Sequence, residues 1–185
     1  RSTLLLNTTG QYNTALGGYA LDASTTASNN TAVGYDALGA NTTGDGNVAI
    51  GTYALDANTT GTPNTAVGYQ ALSSNTTAGN NTAVGYNALL SSTTGSQNVG
   101  VGAYAGDAIT TGHYNTYLGT YAGGASTTAD NNTAVGRSAL LTNVTGTYNT
   151  AVGKDALSTA TVSDNTAVGY LALAVTSTGA NNTAL

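Results

Sequence analysis

Apolar and polar residues follow one another in the same order many times along this chain. The segment Asn-Thr-Ala-Val-Gly, or a close variant of it, recurs at steps of 17 residues, with a single step of 16. The copies begin at Asn13, Asn30, Asn47, Asn64, Asn81, Asn98, Asn115, Asn132, Asn149, Asn165 and Asn182. With that Asn as position zero, the unit reads N-T-A-V-G-Y-x-A-L-x-x-N-T-T-G-x-x. A fixed period of this kind is typical of stacked repeat architectures, so residues 1–185 form one continuous repeat array.

The columns of the repeat predict strands and turns rather than helices. Position three is always aliphatic, position four is Gly, position seven is Ala with one exception, and position eight is Leu except at Gly106 and Gly123. Two glycines per unit each cost about 1 kcal/mol in a helix. Thr, Val, Asn and Gly suit short strands joined by tight turns. The pattern therefore predicts an all-β fold, a parallel β-solenoid (β-roll) of about eleven 17-residue coils.

Stacked coils place equal positions on top of one another, roughly 4.8 Å apart. We expect the aliphatic residue of position three to point into the coil, and Ala seven and Leu eight to close the core from an opposite strand. The Asn of position zero is expected to pass amide hydrogen bonds from coil to coil or to accept them from turn amides. Gly four is expected at positive φ or at a close backbone approach. The predicted ladder residues are Asn30, Asn47, Asn64, Asn81, Asn98, Val33, Ile50, Val67, Val84, Gly34, Gly51, Gly68 and Gly85.

Composition narrows the classes of protein. Only 6% of the residues are charged, against about 25% in an ordinary domain. A charged column would place like charges about 5 Å apart in successive coils, so low charge is a condition of self-stacking. Without Cys there is no disulfide scaffold or thiolate metal site. Three basic residues cannot form a nucleic-acid face, and no run of large apolar residues is long enough for a membrane span.

The residues that could carry catalysis do not form a set in the sequence. His113 is the single histidine, and it lies in a predicted turn. The eight aspartates fall in columns six, nine and fifteen, and no column repeats Asp in successive coils. No carboxylate pair for acid–base chemistry is therefore implied. We predict that the protein is not an enzyme and that it uses no cofactor or metal.

The tyrosines follow the repeat, and most of them lie at position five or six, just after the turn glycine. Two interpretations remain open. The rings could stack from coil to coil on a partly exposed face, or they could contact a neighbouring chain or sugar rings. The residues singled out for an interface or glycan contact are Tyr35, Tyr69, Tyr86 and Tyr170.

Nine N-x-Ser/Thr motifs fall in two columns, position eleven and the residue before position zero. Both columns lie in predicted turns, where a glycan could fit. The nine are Asn7, Asn29, Asn41, Asn58, Asn75, Asn80, Asn131, Asn143 and Asn181. Glycosylation is a hypothesis here, first of all for the position-eleven residues Asn41, Asn58, Asn75 and Asn143.

The segments NTAVGYDAL, NTAVGYQAL and NTAVGYNAL resemble the head repeats of trimeric autotransporter adhesins and the repeat arrays of phage tail-fibre-like proteins. The N-x-V-A-I-G core of the adhesin heads is similar to residues 47–51, Asn-Val-Ala-Ile-Gly. The resemblance implies a left-handed β-roll, association of three chains, adhesion as the activity, and an extracellular or cell-surface location. The unit of this chain is longer than that of the adhesins by an N-T-T-G-like turn.

Taken together, the sequence favours a structural repeat protein of an extracellular fibre or filament. We expect it to self-associate as a trimer or an end-to-end filament and to have an adhesive role towards surface glycans. One alternative is a phage tail-fibre segment that binds host glycans. Another is an ice-binding solenoid, because Thr-Thr recurs at positions twelve and thirteen, although only one residue of each pair can face outward. Nucleic acid is not an expected partner, and no membrane span is expected.

Overall fold

The computed structural model of the chain describes residues 3–175 and 178–185. Each repeat unit contributes one short strand, formed by positions one to three. The strands are β1 (Thr14–Leu16), β2 (Thr31–Val33), β3 (Val48–Ile50), β4 (Thr65–Val67), β5 (Thr82–Val84), β6 (Val99–Val101), β7 (Thr116–Leu118), β8 (Thr133–Val135), β9 (Thr150–Val152), β10 (Thr166–Val168) and β11 (Thr183–Ala184). The rest of each described unit consists of turns, bends and irregular segments.

All eleven strands lie in one parallel sheet in the order of the sequence. Neighbouring strands pair in register, so that Ala32 lies opposite Ala49 and Val33 opposite Ile50. The chain thus winds as a β-solenoid of about ten turns with about 17 residues per coil, which confirms the predicted fold class. Parallel strands need a crossover connection, and here the remainder of each unit supplies it.

The strand turns a different face inward from the one predicted. The middle residue of every strand from β2 to β10 is buried, and Ala32 and Ala49 have no exposed surface. The aliphatic residue of position three faces outward, and Ile50 is 40% exposed. The prediction of an internal ladder at Val33, Ile50, Val67 and Val84 is therefore wrong, although these residues do stack in register on the outer face. Leu eight fills the coil from the opposite wall, which leaves space for little more than a methyl group on the strand side.

The wall opposite the sheet contains the predicted Ala and Leu columns, but it is not a strand. Ala71 and Leu72, at positions seven and eight, are completely buried. Overlapping four-residue turns form this wall, with N–H to carbonyl bonds from position seven to four, nine to six and eleven to eight. In the unit of Asn64 these bonds join Ala71 to Gly68 (3.4 Å), Ser73 to Gln70 (3.3 Å) and Asn75 to Leu72 (3.1 Å).

Positions six and eight of this wall have left-handed backbone conformations, with φ of 52° at Gln70 and 53° at Leu72. Such a conformation costs an L-residue about 1–2 kcal/mol. Full burial of a leucine side chain contributes about 1.5–3 kcal/mol, which offsets that cost. In addition, the Leu72 N–H donates to the Ala88 carbonyl of the next coil at 3.0 Å. Burial and this axial bond together hold leucine in a conformation that it seldom adopts.

Gly51 shows why position four is always glycine. Its φ is 135°, and a Cβ atom there would collide with the carbonyl oxygen of Gly68 in the next coil. The predicted positive φ and the predicted close approach are both present. Any side chain at this position would force neighbouring coils apart.

The Asn column forms the predicted axial ladder. Oδ1 of Asn47 accepts a hydrogen bond from the Asn64 N–H at 2.9 Å, and Oδ1 of Asn64 accepts one from the Asn81 N–H at 3.0 Å. Nδ2 of Asn64 donates to the Ala78 carbonyl at 2.8 Å, near the end of its own unit. One side chain therefore bonds the next coil and also closes its own.

Tyr117 is the one large departure from the small inward residue of the strand. It occupies the place of alanine at position two and is fully buried. The Leu column is interrupted by Gly106 and Gly123 beside it, and a Cβ atom at either glycine would lie against the Tyr117 ring. The ring fills the volume that two leucines fill elsewhere, which explains the two exceptions at position eight.

Candidate functional surfaces

Seven tyrosines of positions five and six, five of them exposed and two half-buried, form one continuous row of rings along the solenoid, which we call the tyrosine ladder. Six successive ring contacts, with centroid separations from 4.9 to 6.4 Å, join its members. The members are Tyr19, Tyr35, Tyr53, Tyr69, Tyr86, Tyr104 and Tyr121. Coil-to-coil stacking, one of the two interpretations of the sequence, is thus present, and it includes Tyr35, Tyr69 and Tyr86.

The rings of the ladder make most of their aromatic contacts with one another. Tyr69 and Tyr86 stack at 5.4 Å, and Tyr104 and Tyr121 stack at 4.9 Å with nearly parallel planes. Desolvation raises the pKa of the Tyr104 hydroxyl, and the neighbouring Tyr86 and Tyr121 raise it further. The other four contacts of the ladder are edge to face, so every contact covers at least one ring face and reduces the ring surface that is open to a ligand.

Cations follow the tyrosine ladder on the same column. Arg137 and Lys154 occupy position five in the two units after Tyr121. The ammonium group of Lys154 lies 4.9 Å from the ring centroid of Tyr170 and 3.0 Å from a carboxylate oxygen of Asp155. Tyr170, singled out with the other tyrosines in the sequence, therefore lies outside the ladder and pairs with a cation.

Column fifteen brings Ser96, His113 and Asp130 into neighbouring coils, an arrangement that their spacing of 17 residues could have revealed. Nδ1 of His113 lies 2.9 Å from the Ser96 hydroxyl, but it also accepts the Ser96 backbone N–H at 3.0 Å. The Asp130 carboxylate accepts the backbone N–H of His113 at 2.6 Å and not a ring N–H. Since a triad needs the carboxylate on the imidazole and a free ring nitrogen for the hydroxyl proton, these contacts are structural bonds of the turn.

Three aspartates lie near one another although no single column repeats them. Burial raises the pKa of Asp36, and the charge of Asp22 raises it further. Burial likewise raises the pKa of Asp56, with Asp36 as a smaller cause. These three aspartates occupy two different columns, positions six and nine, which are the first and last residues of one turn. A search for Asp repeated within one column therefore does not find the cluster. Among residues 3–175 and 178–185, no three His, Cys, Asp or Glu residues are placed to hold a metal ion.

The structure contradicts glycosylation at the four position-eleven asparagines, Asn41, Asn58, Asn75 and Asn143. All four are completely buried. Their Nδ2 atoms, through which an N-linked glycan would be attached, donate hydrogen bonds inside the coil. Asn41 donates to the Gly44 carbonyl at 2.9 Å, and Asn75 donates to Oδ1 of Asn58 at 2.8 Å. Asn41, Asn58 and Asn75 form a short second asparagine ladder, whereas Asn143 bonds within its own unit, and a glycan would break either arrangement.

The motifs in the other column are placed differently. Asn29, Asn80, Asn131 and Asn181 are exposed, and all four have φ near 60°. Asparagine tolerates this conformation better than most residues. Turn geometry explains the asparagines of this column, and their exposure leaves the glycosylation hypothesis open for them.

The outward side of the sheet forms a regular surface of Thr and aliphatic side chains, which we call the sheet face. Position one is threonine in all but two strands, where Val48 and Val99 replace it. Position three is always Val, Ile or Leu, and in the last unit it is Leu185, which directly follows β11. The threonines are Thr14, Thr31, Thr65, Thr82, Thr116, Thr133, Thr150, Thr166 and Thr183. This surface was not predicted from the sequence, because the aliphatic residue of position three was expected in the core.

The Thr-Thr corner has one exposed column. The position-twelve hydroxyls are used inside the coil stack: Oγ1 of Thr59 donates to the Thr76 carbonyl at 3.1 Å, and Oγ1 of Thr42 donates to the Thr59 carbonyl at 3.1 Å. Thr60 and Thr77, at position thirteen, are exposed. As predicted, one residue of each pair faces outward.

Comparison with known proteins identifies no relative: no family model, no curated protein and no solved structure matches this chain. Within residues 3–175 and 178–185, no helix is long and apolar enough to cross a membrane. No cavity opens between the described coils. The surfaces of the rod are therefore the candidate functional features.

Proposed function

We propose that this chain is a structural module, a β-solenoid rod of an extracellular fibre or filament that associates with further copies of itself. The asparagine ladder is the observation that carries the proposal. The buried asparagine side chains are engaged in bonds along the solenoid axis, as in Asn47 to Asn64 at 2.9 Å. Such a molecule has its rigidity and its regular outer faces as its main properties.

Electron microscopy and small-angle scattering of the purified chain test this proposal. We expect rods whose width matches one coil or a bundle of coils, and association into longer or thicker fibres as concentration rises. Exclusively compact monomers at all concentrations would contradict self-association. The trimer implied by the resemblance to adhesin heads corresponds to one defined mass in light scattering, whereas a filament gives a broad distribution.

An adhesive role would use the tyrosine ladder. Five of its seven members are exposed, from 37% at Tyr35 to 47% at Tyr86, and they present hydroxyl groups to surface glycans. A glycan array measures this, with Tyr69→Ser and Tyr86→Ser as variants and Tyr148→Ser as control, since Tyr148 is exposed but outside the ladder. Loss of binding in the ladder variants alone supports adhesion, and equal binding by all variants excludes the ladder as its site. Binding confined to bacterial surface glycans would favour the phage tail-fibre alternative.

A further inference from the structure

The sheet face is regular in two directions. Along the solenoid axis, its side chains repeat at the strand separation of about 4.8 Å, and along each strand positions one and three are about 6.6 Å apart. The in-register pairing of all neighbouring strands keeps both columns aligned from β1 to β11. A surface with this geometry matches a ligand that is itself a lattice better than it matches a single small molecule.

The same face is uncharged and stiff. Every charged residue in the described ranges lies outside the strands. Most of its side chains are β-branched, and Val and Thr have few rotamers. The two valines at position one, Val48 and Val99, keep the shape and the methyl group of threonine.

The threonine hydroxyls of the sheet face are available to water. Within residues 3–175 and 178–185, those of position one donate no hydrogen bond to another protein group, unlike the hydroxyls of position twelve. Regularly spaced hydroxyl groups with methyl groups beside them can order water molecules in rows. The hydroxyl groups form hydrogen bonds with the water molecules, and the methyl groups offer the water no competing hydrogen-bond partner.

We propose that the sheet face binds ice. Ice is a rigid, neutral and periodic ligand whose surface oxygens repeat in two directions on the scale of a few ångströms, and the sheet face is complementary to it in charge, stiffness and periodicity. The structure places this surface on β1–β11 rather than at the Thr-Thr corner, where position twelve is engaged internally and position thirteen forms a single column. The proposal is independent of fibre formation, since a single rod presents the whole face.

Thermal hysteresis and inhibition of ice recrystallisation, measured on the full chain, test the proposal. The variant Thr65→Tyr places a large side chain in the middle of the sheet face. The matched control Thr60→Tyr makes the same change at an exposed corner threonine five residues earlier. Circular dichroism and thermal melting of both variants establish that the coils remain folded.

We expect the unmodified chain to lower the freezing point below the melting point. Thr65→Tyr should lose most of this hysteresis, whereas Thr60→Tyr should retain it. The shape-preserving Thr65→Val should retain more activity than Thr65→Tyr, since it only removes a hydroxyl. The absence of hysteresis and of recrystallisation inhibition in the unmodified chain would overturn the proposal, and so would equal activity in Thr65→Tyr.

A second copy of the chain is the competing occupant of this face, and light scattering distinguishes it. If Thr65→Tyr converts an oligomer into a monomer while no form of the chain affects ice growth, the face is an interface between copies and the proposal is wrong. Rod formation seen by electron microscopy bears on the structural function alone, so the two proposals can fail separately.

Discussion

At the scale of single residues, asparagine gives the solenoid its cohesion. From Asn13 to Asn149, each position-zero side chain accepts a backbone N–H from the next coil through Oδ1 and donates through Nδ2 to the end of its own unit, as Asn47 and Asn64 do. A buried polar group without a partner costs about 1–3 kcal/mol, so this side chain satisfies groups that no other neutral residue of its size can satisfy.

Replacement of one interior asparagine should therefore lower the free energy of unfolding substantially. Asn64→Ala leaves the Asn81 N–H buried without its partner, and it removes one of the two side-chain donors to the Ala78 carbonyl, which keeps its bond from Asn75. At about 1–3 kcal/mol for the unpaired N–H and about 1 kcal/mol for the lost bond, we expect a loss of about 2–4 kcal/mol in the free energy of unfolding, measured by urea denaturation. Thr77→Ala, an exposed change in the same unit, should cost less than about 0.5 kcal/mol. Equal shifts of the two midpoints would show that the ladder does not stabilise the rod.

Tyr117 should give the rod a specific sensitivity to alkaline pH. Burial raises the pKa of its hydroxyl to about 12, and the nearby Ser126 and Asn132 lower it by a smaller amount. The hydroxyl makes no hydrogen bond of ordinary geometry with either residue. In the unfolded chain the pKa is about 10, so the fold favours the neutral phenol. This stabilisation is complete below pH 10 and is lost as pH rises through 12, a change of about 2–3 kcal/mol.

Denaturation midpoints followed from pH 8 to pH 12 measure that loss. Tyr117→Phe should show a shallower decline than the unmodified chain, because phenylalanine has no proton to release. The exposed Tyr148→Phe serves as control and should follow the unmodified curve. Coincident curves for all three proteins would mean that Tyr117 does not ionise with the predicted linkage.

At the scale of elements, each coil has one regular wall and one irregular wall. The sheet wall was predictable, since the period of 17 and the Thr-Ala-Val segment indicate stacked strands. The burial of Ala seven and Leu eight and the role of Gly four were also predictable, because each column is invariant or nearly so. The buried ring of Tyr117 and the missing leucines at Gly106 and Gly123 were visible as separate exceptions, but only the packing shows that they compensate each other.

The inward face of the strand could not be predicted from its residues. In a segment such as Thr31–Val33, alternation allows either Ala32 or the pair of Thr and Val to face the core, and hydrophobicity favours the valine. The width of the coil decides which side of the strand faces the core. That width depends on the leucines of position eight, whose left-handed backbone conformation is unfavourable for leucine and could not be expected from the sequence. The sheet face was missed for the same reason. The neighbours Asp22, Asp36 and Asp56 were missed because the turn brings different columns together.

The large Tyr117 in the sheet wall and the small Gly106 and Gly123 in the opposite wall compensate each other in volume, and this exchange can be tested. Tyr117→Ala alone should destabilise the rod by about 3–5 kcal/mol, since it leaves a cavity where the ring was. Adding Gly106→Leu and Gly123→Leu restores the consensus and should recover most of that loss, because leucine already has φ near 50° at this position in other coils. In the background of Tyr117, either leucine should be strongly destabilising. Additive effects in this mutant cycle would contradict the size exchange.

At the scale of the whole molecule, the strands of the described coils contact the strands of the adjacent coils, so stability should grow coil by coil. The one short unit shows which part of a coil tolerates a change in length. There, Val162 accepts the Nδ2 bond of Asn149 at 2.8 Å, and the strands keep their register from Thr150 to Thr166. The missing residue therefore falls at the Thr-Thr corner beside Thr161, and the sheet and the leucine wall are unaffected.

Deletion of one complete unit should accordingly leave a folded but shorter rod. Removal of residues 65–81 joins Asn64 to Thr82 and keeps every column in register. We expect small-angle scattering to show a rod shorter by about 4.8 Å and thermal melting to remain cooperative. Removal of residues 65–73 places strand residues opposite turn residues and should abolish cooperative melting, whereas removal of Thr77 alone reproduces the natural short unit and should be tolerated. If the half-unit deletion melted like the full-unit deletion, stacking in register would not be what holds this molecule together.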